Sequence, residues 1–234
     1  MTSSNKRSME GNDSERSPKR TKLEYTNAFT VLVGAEEEEF LLHASIAVMH
    51  SKFFRAACNG GFKEAKDKII RMAEVEPATF RSYLQWLYSR DVVVLTAAEL
   101  ATDVKDESLV SRLVKLYLLA DVLADTLLRN RIIDEIQLSL GKNNTCLGIG
   151  HINWAYESTP ATSTLRKLIV DDHVRNSSWY ASWLETARPS LPADFFADLA
   201  IGIAKTNWKQ PIRPRDAGRC TYHEHDDEFP SCVD

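Results

Sequence analysis

Four side chains near the end of the sequence, Cys220, His223, His225 and Cys232, are of the types that hold a soft divalent metal, through thiolate sulfur and imidazole nitrogen. Their spacing fits no common zinc module. Asp226, Asp227 and Glu228 stand beside them in a stretch too poor in apolar residues to build a core. That stretch reads as a flexible polar tail, so no metal and no cofactor is expected. Nucleophilic catalysis lacks a frame as well, because the sequence holds no Gly-x-Ser-x-Gly elbow, no His-Glu-x-x-His pair and no phosphate loop. Gly148-Ile149-Gly150 is a fragment of a dinucleotide fingerprint with no β-rich run before it, and reads as a loosened connection between helices. The expectation is a protein that is not an enzyme, with no catalytic residues.

Charge points to partners rather than to chemistry. Lys19, Arg20 and Lys22, with Lys6-Arg7 upstream at a bipartite spacing, form a candidate nuclear import signal, because a flexible basic strand can lay its charges into the acidic grooves of a carrier. The expected location is the nucleus, the cytoplasm or both. The net charge of -4 denies the whole chain a general attraction to polyphosphate, so no specific nucleic acid is expected. No apolar run approaches the roughly 20 residues that span a bilayer, so no membrane association is expected. Cys58, Cys146, Cys220 and Cys232 are scattered without an apolar secretory leader, which reads as thiols in a reducing compartment.

Hydrophobic residues make up 44% of the 234 residues and charged residues 26%, enough apolar material for a sizeable core. Residues 1–24 hold almost nothing apolar and read as a disordered basic tail. Phe29–Val33 is β-rich, and Gly34-Ala35 with the acidic run Glu36–Glu39 leads into Phe40-Leu41-Leu42 as a hairpin. Ser45–Cys58 has helical periodicity with a break at Ser51, and Asn59-Gly60-Gly61 stops it. Lys68–Met72 reads as a strand. Pro77 opens a helix that places Phe80, Tyr83, Leu84, Leu87 and Tyr88 on one face, and Val92–Leu95 follows as a short strand.

Thereafter the pattern is helical over Leu109–Leu123, Thr126–Leu140, Cys146–Glu157, Thr162–Val174 and Pro192–Lys205. Breaks fall at Gly141-Lys142-Asn143-Asn144, Thr159-Pro160 and Asn176-Ser177-Ser178. From Trp208 on, periodicity vanishes. Trp154, Trp179, Trp183 and Trp208 concentrate in this second half, where amphipathic helices mostly use tryptophan as core.

Phe40-Leu-Leu-His43, Ser51-Lys-Phe-Phe54, Gly61-Phe62-Lys-Glu64, Pro77-Ala-Thr-Phe80 and Trp86-Leu-Tyr88 together resemble the BTB/POZ family in residue type, order and spacing. Five landmarks in register are far more specific than any one. The resemblance implies an α+β chain: a BTB/POZ fold, with a small mixed β-sheet flanked by helices, at 25–140, followed by an all-helical C-terminal extension at 141–207 and a flexible tail at 208–234. The extension resembles that of short fungal proteins of this type, including Ala155-Tyr156-Glu-Ser-Thr159-Pro160 and Leu165-Arg166. His43, Ser51, Phe54 and Phe80 are structural landmarks. His43, at a strand–helix junction, reads as a hydrogen-bonded scaffold residue rather than a ligand or base.

The same resemblance implies a protein–protein interaction module. Phe62-Lys63-Glu64 is similar to the apolar-x-Glu motif by which some BTB adaptors contact a cullin scaffold, so Phe62, Glu64 and Tyr88 are the candidate cullin contacts. The first expectation is an adaptor that recruits a client protein to a cullin-type ubiquitin ligase. The alternative is a nuclear transcription-associated or assembly factor that uses the domain only for protein contacts. In BTB repressors an Asp and a basic residue form a charged pocket at positions where Ala28 and Ala44 stand here. Leu23–Asn27 is too short and polar for the amphipathic helix on which many BTB dimers rest, so a homodimer stays open.

Overall fold

The computed structural model describes residues 27–59, 68–94, 108–143, 147–206, 214, 217–226 and 231–232. Strand β1, Ala28–Val33, pairs antiparallel with β2, Glu38–His43, in a register that sets Val31 opposite Phe40. Gly34 sits at φ 77, where a side chain would be strained, and its bare Cα faces the ring of Pro77. A turn closed by Glu37 N–H donating to the Gly34 carbonyl (3.1 Å) joins the strands, so only part of the acidic run is turn. Glu38 and Glu39 belong to β2, whose Phe40 and Leu42 point inward.

Helices α1, Ala44–His50, and α2, Lys52–Asn59, lie between β2 and β3, Ile69–Met72. A parallel pair needs such a crossover, and β3 pairs parallel with β1 to give the order β2-β1-β3. Ser51 is the elbow between α1 and α2. Its Oγ accepts from Phe54 N–H (3.0 Å), the N-cap bond that starts α2, and donates to the Leu123 carbonyl (2.6 Å). Helix α3, Pro77–Ser89, starts with proline in its first turn and ends at Arg90, which takes a left-handed φ of 66 and stacks over Trp86.

Val92–Val94 form no strand, correcting the expected last one; Val94 is buried and its carbonyl accepts from Arg112. Helices α4, Leu109–Val122, α5, Thr126–Asn143, and α6, Ile149–Ser158, follow. Then α7, Thr164–Ala187, runs through the break expected at Asn176-Ser177-Ser178. Weak helix formers are overridden there: the helix buries Leu165, Leu168, Ile169, Val170 and Val174 before them, and Trp183, Leu184 and Ala187 pack after them. Helix α8, Ala193–Lys205, folds back on α7 at Gly202, where a Cβ would meet Val174 Cγ2 at 2.8 Å.

The apolar core runs without interruption from Phe29 to Tyr222. In its first half Phe54, Phe80 and Tyr83 are fully buried and in ring contact, with Phe40 edge-on to Phe80 at 5.0 Å. In the helical half Phe195 is the hub, against Tyr156, His173 and Phe196. Trp154 and Trp183 pack partly buried against this core, while the Trp179 side chain and Trp208 lie outside the described residues. Among the described residues, no helix is long and apolar enough to cross a membrane.

Candidate protein-interaction surface

Residues alternate across β2, so the strand that buries Phe40 and Leu42 turns Glu39, Leu41 and His43 away from the core. Leu41 is 66% exposed. His43 N–H donates to the Tyr88 hydroxyl (3.3 Å), and the hydroxyl shares a 2.8 Å hydrogen bond with His43 Nδ1. The two rings meet edge to face. Tyr88, placed on one helix face with Phe80, Tyr83, Leu84 and Leu87 and named as a candidate contact, lies in the last turn of α3 and is 48% exposed. An aromatic side chain whose polar end is fixed loses little rotamer freedom on binding, which is what an interface anchor requires.

Phe62 and Glu64 lie outside the described residues, as do Lys19, Arg20 and Lys22. Of the residues singled out, the structure therefore brings His43 and Tyr88 together and places Ser51, Phe54 and Phe80 in the core beneath them. Beside β1 lies a hollow of about 50 Å³ lined by Asn27, Ala28, Phe29, Ala44, Ala57, Cys58, Lys68 and Ile70. Ala28 and Ala44 thus face the same space, but as two methyl groups they give it no charged pair. Its volume suits a water or two, far from the several hundred Å³ of a small-molecule pocket.

Buried titratable groups are tied into the scaffold. Burial pushes the Asp125 carboxyl up to about 6, against the opposing pull of its bonds from Leu128 N–H (3.0 Å) and Trp86 Nε1 (3.1 Å). Those bonds cap α5 and moor α3 to it. Burial also raises Asp172 to about 6, opposed by a backbone hydrogen bond from Leu147. Burial, with Arg90 and Arg55 adding to it, lowers His50 to about 4. Arg166, itself buried, donates to the carbonyls of Tyr156 and Thr159 and so satisfies the end of α6.

The sequence reading missed a strap. Residues expected as flexible tail lie on the helices: Tyr222 is 2% exposed and its hydroxyl donates to Asp171 (2.9 Å). Asn130 grips Glu224 by both backbone groups at 2.8 Å, and Arg129 pairs with the Glu224 carboxylate at 2.7 Å. His223 Nε2 meets Asp134 at 2.9 Å, and Lys52 of α2 reaches Asp226 at 2.7 Å. Tyr222, an aromatic in a mostly polar run, was an available sequence signal.

Comparison with known proteins agrees with the sheet, the helices around it and the landmarks they carry. No curated protein matches the chain. The family model of the BTB/POZ domain matches residues 21–118, the part holding the three-stranded sheet, α1–α3 and the start of α4. The chain carries a BTB/POZ domain, a protein–protein interaction module.

Proposed function

We propose that this protein is an adaptor whose BTB/POZ domain docks on a cullin-type scaffold while its helical extension positions a client for ubiquitin transfer. The observation that carries the reading is Tyr88, an exposed aromatic fixed through its hydroxyl by His43. The Phe62-x-Glu64 motif supports it from the sequence. The mechanism is proximity: the adaptor supplies two adhesive surfaces and another subunit supplies the chemistry. Truncating an interface aromatic costs about 2 kcal/mol or more, roughly thirtyfold in affinity. A pull-down with cullin should therefore lose most of its yield with Tyr88→Ala, and with the Phe62→Ala, Glu64→Lys double variant, at unchanged thermal stability of the latter. Equal recovery of cullin by parent and variants would remove the adaptor reading.

A second reading rests on the basic run Lys19-Arg20-Thr21-Lys22. In it the chain is a nuclear assembly or transcription-associated factor, and cullin is absent from its complexes. Localisation of a tagged protein, with and without alanine at Lys19, Arg20 and Lys22, combined with affinity purification, separates the two.

A further inference from the structure

The strap brings metal-binding side chains together although their spacing resembles no common zinc module. The donor atoms of Cys220, His225 and Cys232 all lie within 4.8 Å of one another. His223 Nδ1 is 3.0 Å from Cys232 Sγ, and His225 Nε2 is 3.8 Å from it. The two sulfurs are 2.7 Å apart, well beyond the ~2.05 Å of a disulfide bond. Three donors thus cluster, and His223 stands beside them against Cys232, in the pattern Cys-x2-His-x-His-x6-Cys.

We infer that Cys220, His223, His225 and Cys232 form a structural tetrahedral site for a soft divalent cation, zinc by donor set, that locks the strap onto α5. The tautomer of His223 is already set for it. A carboxylate only accepts, so His223 Nε2 donates to Asp134 (2.9 Å), and in the neutral ring the Nδ1 lone pair turns toward the sulfurs. A carboxylate behind a ligating imidazole is the usual support of such a ligand, orienting the ring and raising its basicity. The His223 side chain is itself nearly buried, at 4% exposure, which fixes one corner of the site against α5.

Geometry is within reach of side-chain rotations. Two thiolates at about 2.3 Å from one tetrahedral ion stand about 3.8 Å apart, and a thiolate and an imidazole about 3.6 Å. The separations of Cys232 Sγ from Cys220 and His225, 2.7 and 3.8 Å, need shifts of about 1 Å, taken up mainly at the exposed Cys220. His223, 3.0 Å from Cys232 but outside the three-donor cluster, must swing further to complete the site. Two thiols and two imidazoles favour zinc over magnesium or calcium, which take oxygen donors. Binding releases the two thiol protons, so affinity rises with pH.

The test uses the full chain, reduced and stripped of metal, titrated with zinc and with cobalt(II) against a competing chelator. The expected result is one metal per chain, with a cobalt spectrum of tetrahedral form and a thiolate charge-transfer band. Cys232→Ser should halve that band and forfeit retention. Asp134→Asn should weaken retention 10- to 100-fold while leaving the band in place. His225→Ala removes an exposed side chain and reports on the site where the buried variants fold poorly. Absence of stoichiometric metal in the folded reduced chain overturns the proposal, as does equal retention by Cys232→Ser and His225→Ala. A Cys220–Cys232 disulfide in reducing buffer overturns it as well.

Discussion

Asp125 offers a measurement in which sign and size both follow from the structure. Its carboxyl is 1% exposed at the start of α5, and burial raises its pKa to about 6. In the unfolded chain an aspartate titrates near 3.9. Between about pH 4 and pH 6 the native state therefore keeps a proton that the unfolded state has released. Stability from this group is fully present below about pH 4 and is lost as pH rises through 6. A separation of roughly two pH units corresponds to about 3 kcal/mol.

Asp125→Asn removes the titration. One amide oxygen replaces two carboxylate oxygens, so one of the bonds from Leu128 N–H and Trp86 Nε1 is lost, a penalty independent of pH. Raw stability curves mix several groups, since Asp172 shifts upward like Asp125 whereas His50 and His173 are lowered by burial and act in the opposite direction. The difference between the two proteins isolates Asp125. Urea unfolding from pH 4 to 7.5 should show the parent's advantage over Asp125→Asn shrinking by about 3 kcal/mol as pH rises. Parallel curves, with a difference constant within about 0.5 kcal/mol, would refute the argument.

Two substitutions test the scaffold. Ser51→Ala deletes the cap of α2 and the bond to Leu123, whose carbonyl keeps a donor in Phe53 N–H (3.3 Å); a loss of about 2 kcal/mol is expected in chemical unfolding, and a value below about 0.5 would contradict the cap. Gly202→Ala gains about 1 kcal/mol of helix propensity but drives a Cβ to 2.8 Å from Val174 Cγ2 and 3.0 Å from Val170 Cγ1. Both neighbours are β-branched and stiff in a helix, so overpacking of about 1–3 kcal/mol wins and the melting temperature falls; an unchanged or higher one would show that α7 and α8 separate without penalty.

The elements around the surface were legible because their signals are local and periodic. The β-rich apolar run Phe29–Val33 with Phe40–Leu42 after the turn, serine at a helix start and proline at the first turn of α3 each leave a mark in a few adjacent residues. The end of α3 left none, since Arg90 fills the left-handed position that glycine commonly takes. The continuity of α7 was hidden because its Asn and Ser are weak helix formers carried by apolar packing on either side. The strap was least legible. Single polar groups on α5 and α7, 51 to 94 residues away in sequence, hold it, and polar pairing of that kind has no period to detect.

The strap's position bears on how an adhesive protein of this shape works. Its anchors divide between the two halves: Asp226 reaches α2 and the start of α5, Glu224 bonds Tyr117 of α4, and Tyr222 is fixed to α7. Exposed ion pairs such as Lys52–Asp226 contribute little alone, so the stiffness comes from the buried Tyr222 and the nearly buried His223 side chain. Under the proposed adaptor function, a partner held by the BTB/POZ domain and a client held by the extension would meet at a separation set by packing rather than by a tether. A rigid spacing raises the effective concentration of one partner for the other only where the geometry suits, and forbids it elsewhere. Under that proposal, the polar contacts that bind the strap are where selectivity between partners would be lost first, before either proposed binding surface is touched.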